Sequence, residues 1–170
     1  MREILFRGKR VDNGEWVEGY YVCTNTYIGS SKLGTVHIIT TGKQTISGAY
    51  GEHISEEIYT VIPETVGQYT GLADKNGKKI FEGDIIRYVD NLDRELYEES
   101  LERPEDYEGC YLDNLWNVSE VVYNIEFSYP AFDLQKHDFD SNALSELCES
   151  GFYYYEVIGN IHDNPEFFGG

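Results

Sequence analysis

The stretch Thr65–Ile86, TVGQYTGLADKNGKKIFEGDII, decides the fold, because it specifies a strand, a turn and a second strand. Its apolar residues have the spacing of a sheet, and Asn76-Gly77 supplies a turn that tolerates positive φ. Gly83 then interrupts the second strand between two carboxylates. The stretch therefore predicts a β-hairpin with a glycine-centred irregularity, and it contains no pattern that is typical of catalysis.

The two carboxylates, Glu82 and Asp84, lie two residues apart, so on a strand their side chains share one face. They could form an acid–base pair with a histidine such as His162, which would need a cleft and shifted pKa values. They could instead accept hydrogen bonds from backbone amides around Gly83. We favour local anchors, and we expect no catalytic residue, no cofactor and no metal. An enzyme that depends on these carboxylates is the less favoured alternative.

Apolar alternation predicts strands on both sides of this hairpin. The chain opens with a second hairpin, 3–11 and 15–23, around the turn Asp12-Asn13-Gly14, and residues 29–34 read as loop. Further strands are expected at 35–41, 46–50, 58–62, 80–89, 118–128 and 152–161, and short helices before Pro104 and at 141–149. The fold class is mainly β with small-barrel spacing and one or two short helices.

Pro63 ends the strand before it, because proline removes a ladder donor, and it marks the expected domain boundary. The sequence therefore predicts an N-terminal β subdomain at 1–62 and a C-terminal subdomain at 63–170. The second subdomain contains an acidic insertion at about 90–117.

Charge is distributed very unevenly along the 170 residues, whose net charge is −18. Residues 1–89 contain 11 Asp and Glu and 10 Lys and Arg, whereas residues 90–170 contain 20 acidic and 3 basic residues. The acidic half disfavours direct binding to nucleic-acid phosphates or to an anionic membrane. It would attract basic proteins, or basic sites that normally receive DNA.

The three cysteines, Cys23, Cys110 and Cys148, are odd in number, far apart and without a CxxC motif. We expect reduced thiols and no disulfide framework. Cys23 and Cys148 fall on apolar faces and are expected to be buried, which leaves Cys110 as the thiol to test for reactivity. No apolar signal core or membrane span is apparent, so we expect a soluble, cytoplasmic protein.

Three separated blocks of the chain resemble the YopX family of phages and bacterial prophage regions. The resemblance implies a β-rich fold with an SH3-type barrel in the C-terminal portion, and it implies no activity. The blocks are FRGKR at 6–10 with Trp16 and Gly19, TVGQYTG at 65–71 through Asp84-Ile85, and YEVIGNI at 155–161 with Asn164-Pro165-Glu166.

The leading functional hypothesis is a non-enzymatic module that binds a host or phage protein, with self-assembly into a homo-oligomer as a competing use of the same surface. An outward tyrosine among Tyr153 and its neighbours, including Tyr155, could contribute to a contact patch. An alternative is that the acidic half imitates DNA and occupies a basic site on a nucleic-acid-handling protein. The carboxylates that would act in this way are Glu95, Glu98, Glu99 and Glu102.

A last alternative places single-stranded nucleic acid on the basic residues of the opening strand, as small barrels sometimes do. The negative field of the rest of the chain opposes this interpretation. The residues concerned are Arg2, Arg7, Lys9 and Arg10.

Overall fold

A computed structural model describes residues 3–47, 53–89, 101–102, 116–124, 131–135, 143–149 and 155–168. The chain divides into two compact units, Met1–Gly71 and Leu72–Gly170. This boundary lies later in the chain than the expected one at 62/63. The reason is that the residues after Pro63 still belong to the first sheet, since Lys9 N–H donates to Thr65 Oγ1 at 2.8 Å and Gly67 pairs with Arg7.

The first unit is built on an antiparallel sheet in the order β4-β3-β2-β1-β5. The unit boundary falls within β5, and β6 is the hairpin partner of that strand. Gly14, at φ +73°, turns the chain between β1 and β2 as predicted. The strands are β1 (Phe6–Lys9), β2 (Trp16–Ile28), β3 (Ser31–Ser47), β4 (His53–Thr60), β5 (Gly67–Ala73) and β6 (Lys79–Phe81).

The expected loop at 29–34 is mostly strand, which corrects the sequence interpretation. Gly29, at φ +58°, forms a tight turn with Ser30, and Ile28 pairs with Ser31 directly across it. The glycine conformation allows the two-residue connection of a hairpin. The irregularity expected of a loop appears instead as a shift in the β2–β3 register after Thr26.

Ile39 and Val61 form the fully buried centre of the first unit. Gly19 allows β2 and β3 to approach there, because a Cβ at this position would lie 2.1 Å from the Thr40 carbonyl oxygen. The sheet curls until Arg10 and Val61 form a single bridge between the ends of β1 and β4. This bridge does not extend into a ladder among the described residues, so the sheet stays open.

The second unit contains an antiparallel sheet in the order β10-β7-β8-β9. Its core is a cluster in which Ile86, Val121, Leu144 and Val157 pack together. The elements are β7 (Asp84–Val89), β8 (Trp116–Asn124), β9 (Ala131–Leu134), α1 (Ala143–Glu149), β10 (Tyr155–Asn160) and a 3-10 turn at Pro165–Phe168.

The prediction of a mainly β protein is confirmed, and a helix lies within 141–149 as expected. The strand pairings of the described residues form two open antiparallel sheets, since β9 and β10 stand at opposite ends of the second one. They therefore do not close the SH3-type barrel that the family resemblance implies. Of the helix expected before Pro104, only Leu101 and Glu102 are described, and both are helical and exposed. In the described ranges, helices of the length and apolarity that a membrane crossing requires are absent.

Candidate functional site

The β2–β3 hairpin extends well beyond the strands that flank it. Pairing of β2 with β1 ends at Gly19, and pairing of β3 with β4 begins at Ile38. Residues Cys23–His37 between these limits pair with one another, from Cys23 opposite His37 to the turn, and none of them is buried. We call this segment the arm.

Three large apolar side chains stand at the tip of the arm. Tyr27, Ile28 and Leu33 are 57%, 69% and 63% exposed. Two-stranded ribbons are marginally stable in water, and exposed apolar side chains contribute nothing until another surface covers them. The tip therefore has the composition of a contact surface.

Polar side chains hold the two strands of the arm together below the tip. Thr35 Oγ1 donates to Asn25 Oδ1 across the strands at 3.0 Å, and Thr26 Oγ1 donates to the Gly34 carbonyl at 3.2 Å. Such cross-strand pairs stabilise a ribbon that lacks a core. They keep the tip in a defined geometry for contact.

A second apolar surface lies at the base of the arm. Tyr20 and Ile58 are both paired with Thr40, which places them on one face of the sheet, and Val22 follows two residues after Tyr20. All three side chains are exposed. The ring of Tyr20 lies against Gly42, where an added Cβ would come within 3.2 Å of it. This face adds an aromatic anchor to the surface that the tip presents.

The β2–β3 hairpin contains almost no acidic residues. The chain contains 31 Asp and Glu, yet there is none from Gly19 to Ser47, where Lys32 and Lys43 are the charged residues apart from a histidine. Lys43 pairs with Glu57 of β4 at 2.8 Å, and this pairing lowers the pKa of that carboxyl. The apolar surface is therefore separated in sequence from the acidic bulk of the protein.

The basic residues of β1 are engaged within the first unit. The Arg7 guanidinium is buried and lies 4.8 Å from the Trp16 ring centre, and Lys9 approaches the same ring at 5.5 Å. Arg10 stacks on the Tyr59 ring at 4.3 Å. These contacts occupy the cations that the nucleic-acid alternative would use; Arg2 lies outside the described residues.

Arg10 also explains the turn that follows β1. It bonds Asp12 at 2.6 Å, which raises the pKa of the guanidinium and lowers that of the carboxyl. Val11 and Ile58 line a shallow cavity of about 350 Å³ beside this pair. A cavity of that volume is at the small end of ligand sites.

Two carboxylates of the predicted hairpin, those of Asp74 and Asp84, are structural anchors in the second unit. Asp84 is 1% exposed, and its Oδ2 accepts the Phe81 amide at 2.8 Å. Asp74 is also buried and accepts the amides of Asn76, Lys78 and Val157 at 2.8, 2.9 and 3.1 Å. This arrangement matches the anchor interpretation of Asp84 rather than a catalytic pair.

Two further buried polar side chains have the same role. Asp133 Oδ1 accepts the amides of Leu134 and Leu144, which ties β9 to the start of α1. Asn160 Oδ1 accepts the amides of His162 and Asp163 and so forms the turn that carries His162. Within the part of the chain that the structure describes, no three His, Cys, Asp or Glu side chains are grouped to hold a metal.

Only some of the predicted contact residues lie in the described ranges. Glu102 is exposed, whereas Glu95, Glu98, Glu99 and Tyr153 lie outside the described residues. Tyr155 is 6% exposed, its hydroxyl donates to the Ala73 carbonyl at 3.2 Å, and burial raises its pKa to about 12.

Tyr155 is therefore not the outward tyrosine of the expected contact patch, because its ring is part of the core of the second unit. Cys23 is exposed, contrary to expectation, whereas Cys148 is half-buried and packs against the core. The sequence interpretation missed the arm altogether. The signal that could have revealed it is the run of acid-free residues from Gly19 to Ser47.

Comparison with known proteins identifies the class. The model of the family described as YopX protein matches residues 5–168, nearly the whole chain, and the protein belongs to this family. The chain is also similar to protein EF1440 from Enterococcus faecalis, whose crystal structure it matches with 26% identity and a TM-score of 0.50 over 98% of this chain and 99% of that one. None of the curated proteins compared with it matches.

Proposed function

We propose that this YopX-family protein is a non-enzymatic, cytoplasmic binding module of phage or prophage type that docks its arm onto another protein. The observation that carries the proposal is the exposure of Tyr27, Ile28 and Leu33 at the tip of a ribbon that has water on both faces. Burying such side chains stabilises a complex by about 1.5–3 kcal/mol each.

The placement of the exposed side chains supports a single contact surface. Eight of the eleven large exposed apolar residues in the described chain belong to the first unit, and the hairpin contains five of them. Interface energy is concentrated in a few well-packed anchors, among which tyrosine is over-represented. Tyr20 and Tyr27 are suited to that role.

Charge specifies which partner suits the arm. With a net charge of −18, the protein is attracted to a basic surface and repelled by an acidic one. The arm itself carries no carboxylate, so apolar contact there does not require burial of a negative charge. The partner that suits these properties is a protein with an apolar binding surface surrounded by basic residues. In such a complex the opposite charges increase the association rate, and the apolar contacts set the lifetime.

Affinity capture with matched variants tests the proposal. The arm variant combines Tyr27→Ser, Ile28→Ser and Leu33→Ser, and the control combines Ile4→Ser and Phe167→Ser, which are exposed apolar residues elsewhere. We expect wild type and control to retain the same proteins from a lysate of the bacterium in which the protein naturally occurs. The arm variant should lose them by about tenfold or more, since each anchor contributes more than about 1 kcal/mol.

Equal capture by all three proteins would contradict the proposal, as would no capture above background at any salt concentration. Light scattering on the purified protein tests the competing use of the surface, which is self-assembly into a homo-oligomer. A wild-type dimer that the arm variant abolishes would assign the arm to self-assembly instead.

The acidic-mimic alternative remains a prediction about residues that mostly lie outside the described ranges. Glu102, the described member of the set, is exposed as the alternative requires. Replacement of Glu95, Glu98, Glu99 and Glu102 by Gln should weaken capture at low salt if these carboxylates imitate phosphates. Unaltered capture would end this alternative and leave the arm proposal intact.

A further inference from the structure

Three side chains with acid–base or nucleophilic chemistry meet at the base of the arm. Cys23 on β2 and His37 on β3 are directly opposite in the antiparallel register, so their side chains share one face. Tyr21 precedes Cys23 by two residues and lies on that face as well. Its phenolic oxygen lies 2.5 Å from Nδ1 of His37.

This cluster is anchored at one end and open at the other. The Tyr21 ring packs against Phe6 with ring centres 5.4 Å apart, and it lies 5.9 Å from the imidazole. Burial raises the pKa of the Tyr21 phenol, and the neighbouring Cys23 thiol raises it further. Tyr21 and His37 are half-buried, whereas Cys23 is an exposed free thiol. The sulfur is therefore accessible, and the groups beside it are held in place.

The segment of the chain around Cys23 contains few acidic residues. The hairpin from Gly19 to Ser47 contains no carboxylate, and the charge of the distant acidic residues is screened within about 10 Å. Glu57, on the neighbouring strand, is paired with Lys43. The titratable side chains that the register places on this face are Tyr21, Cys23, His37, Glu57 and Tyr59, with the Arg10 guanidinium stacked on the Tyr59 ring.

We propose that Cys23 is a thiol–disulfide exchange site in which His37 is the base and Tyr21 the residue that positions it. A nucleophile beside a base, with a third group orienting the base, is the arrangement that activates cysteine and serine nucleophiles. When His37 carries its hydrogen on Nδ1, that nitrogen donates to the Tyr21 oxygen, and Nε2 is left to accept the thiol proton.

The exchange step balances without a further oxidant. The Cys23 thiol transfers its proton to His37, and the thiolate attacks one sulfur of a disulfide on a small molecule or a partner protein. The new sulfur–sulfur bond forms as the original one breaks. The departing thiolate takes the proton from the imidazolium and leaves as a thiol. Cys23 ends as a mixed disulfide. The Cys23 sulfur is therefore oxidised, and the sulfur that leaves as a thiol is reduced.

The rate of reaction with dithiodipyridine, a neutral disulfide whose leaving thiol absorbs light, tests this proposal. We expect the fastest phase at neutral pH to belong to Cys23 and to vanish in Cys23→Ser. His37→Gln should slow that phase by about tenfold, since loss of the base removes the local source of thiolate. His162→Gln, which removes a histidine from the second unit, should leave the rate unchanged.

Alkaline pH distinguishes activation from a change in access. An ordinary thiol is ionised near pH 10 in the absence of a base, so wild type and His37→Gln should react at the same rate there. A rate difference that persists at alkaline pH would assign His37 a structural role and overturn the proposal. A fast phase that survives in Cys23→Ser would overturn it as well.

Tyr21→Phe provides the second variant and decides the question if His37→Gln fails to fold. The phenyl ring keeps its contact with Phe6, and only the hydroxyl beside His37 is lost. We expect the Cys23 phase to slow by about threefold at neutral pH, with recovery at alkaline pH, because the base remains but is no longer held. A neutral-pH rate within the error of wild type for Tyr21→Phe would contradict the assignment, as would a wild-type rate for His37→Gln if that variant folds.

Discussion

The second unit and the arm of the first unit use polar and apolar side chains in opposite ways. In the second unit, the buried carboxylates of Asp74, Asp84 and Asp133 accept backbone amides, and the apolar residues pack into one cluster. In the arm, polar threonines hold the ribbon together while Tyr27 and Ile28 remain in water. These carboxylates and apolar side chains find their partners within the second unit, whereas the tip of the arm leaves its apolar side chains exposed.

The largest expected effect follows from removing an anchor of the second unit. Asp74→Ala would remove the acceptor of the buried Val157 amide and of the part-buried amides of Asn76 and Lys78, and we expect a loss of about 4 kcal/mol in the free energy of unfolding. Urea unfolding followed by Trp116 fluorescence in a Trp16→Phe background reports on this unit. Glu166→Ala, which removes an exposed carboxylate, should change the free energy by less than about 0.5 kcal/mol. Similar losses in the two variants would show that Asp74 is not an anchor.

The next effect is expected where β2 and β3 approach each other below the arm. Gly19→Ala would place a methyl group 2.1 Å from the Thr40 oxygen, so the strands must separate at a cost of about 2–3 kcal/mol. Trp16 fluorescence during urea unfolding measures this change. Gly34→Ala, in the arm, meets no atom within 4 Å and should be nearly neutral. Equal destabilisation by Gly34→Ala and Gly19→Ala would contradict the close approach of β2 and β3 at Gly19.

A smaller effect separates Tyr155 from the tyrosines of the arm. Tyr155→Phe keeps the ring in the core and removes the hydrogen bond to the Ala73 carbonyl, which should cost about 1 kcal/mol of stability. Tyr27→Phe, at an exposed position, should cost almost nothing. The stabilities of the two variants are compared by thermal unfolding. Equal stabilities would mean that the Tyr155 hydroxyl contributes no more than an exposed one.

The smallest effect depends on pH. The hydrogen bond from Arg87 lowers the pKa of Glu156, and Lys75 contributes at 3.7 Å. Since the folded pKa lies below the unfolded value of about 4.3, the stabilisation is complete above that value and is lost as pH falls through the folded pKa.

This pair is partly solvated, so we expect at most about 0.5 kcal/mol. The difference in unfolding free energy between wild type and Glu156→Gln should therefore shrink between pH 6 and pH 3. A difference that stays constant over this range would exclude the linkage.

The sequence predicted the second unit better than the arm, and the reason is local. Asn76-Gly77 and Asp84 carry turn and anchor chemistry that depends on near neighbours, so their roles could be inferred from the residues alone. By contrast, the length of β2 and β3 depends on pairing across the turn at Gly29, and no strong alternation marks residues 24–34.

Burial was the other property that local pattern did not determine. Cys23 and Tyr155 both lie in strands with apolar neighbours, yet one is exposed and the other is in the core. Which face of a strand is covered depends on the elements that pack against it, and these are distant in sequence. The exposed tip of the arm was missed as well, because the glycine and serines at 29–31 read as loop.

Hydrogen exchange on the complex that wild-type protein captures tests the central claim most directly. Amides at the exposed tip of the arm should exchange quickly in the free protein and become protected when the partner binds, while those of Val157 and Asn160 should exchange equally slowly in both states. Arm amides that exchange at the same rate with and without the partner would contradict the claim that the arm is the docking element.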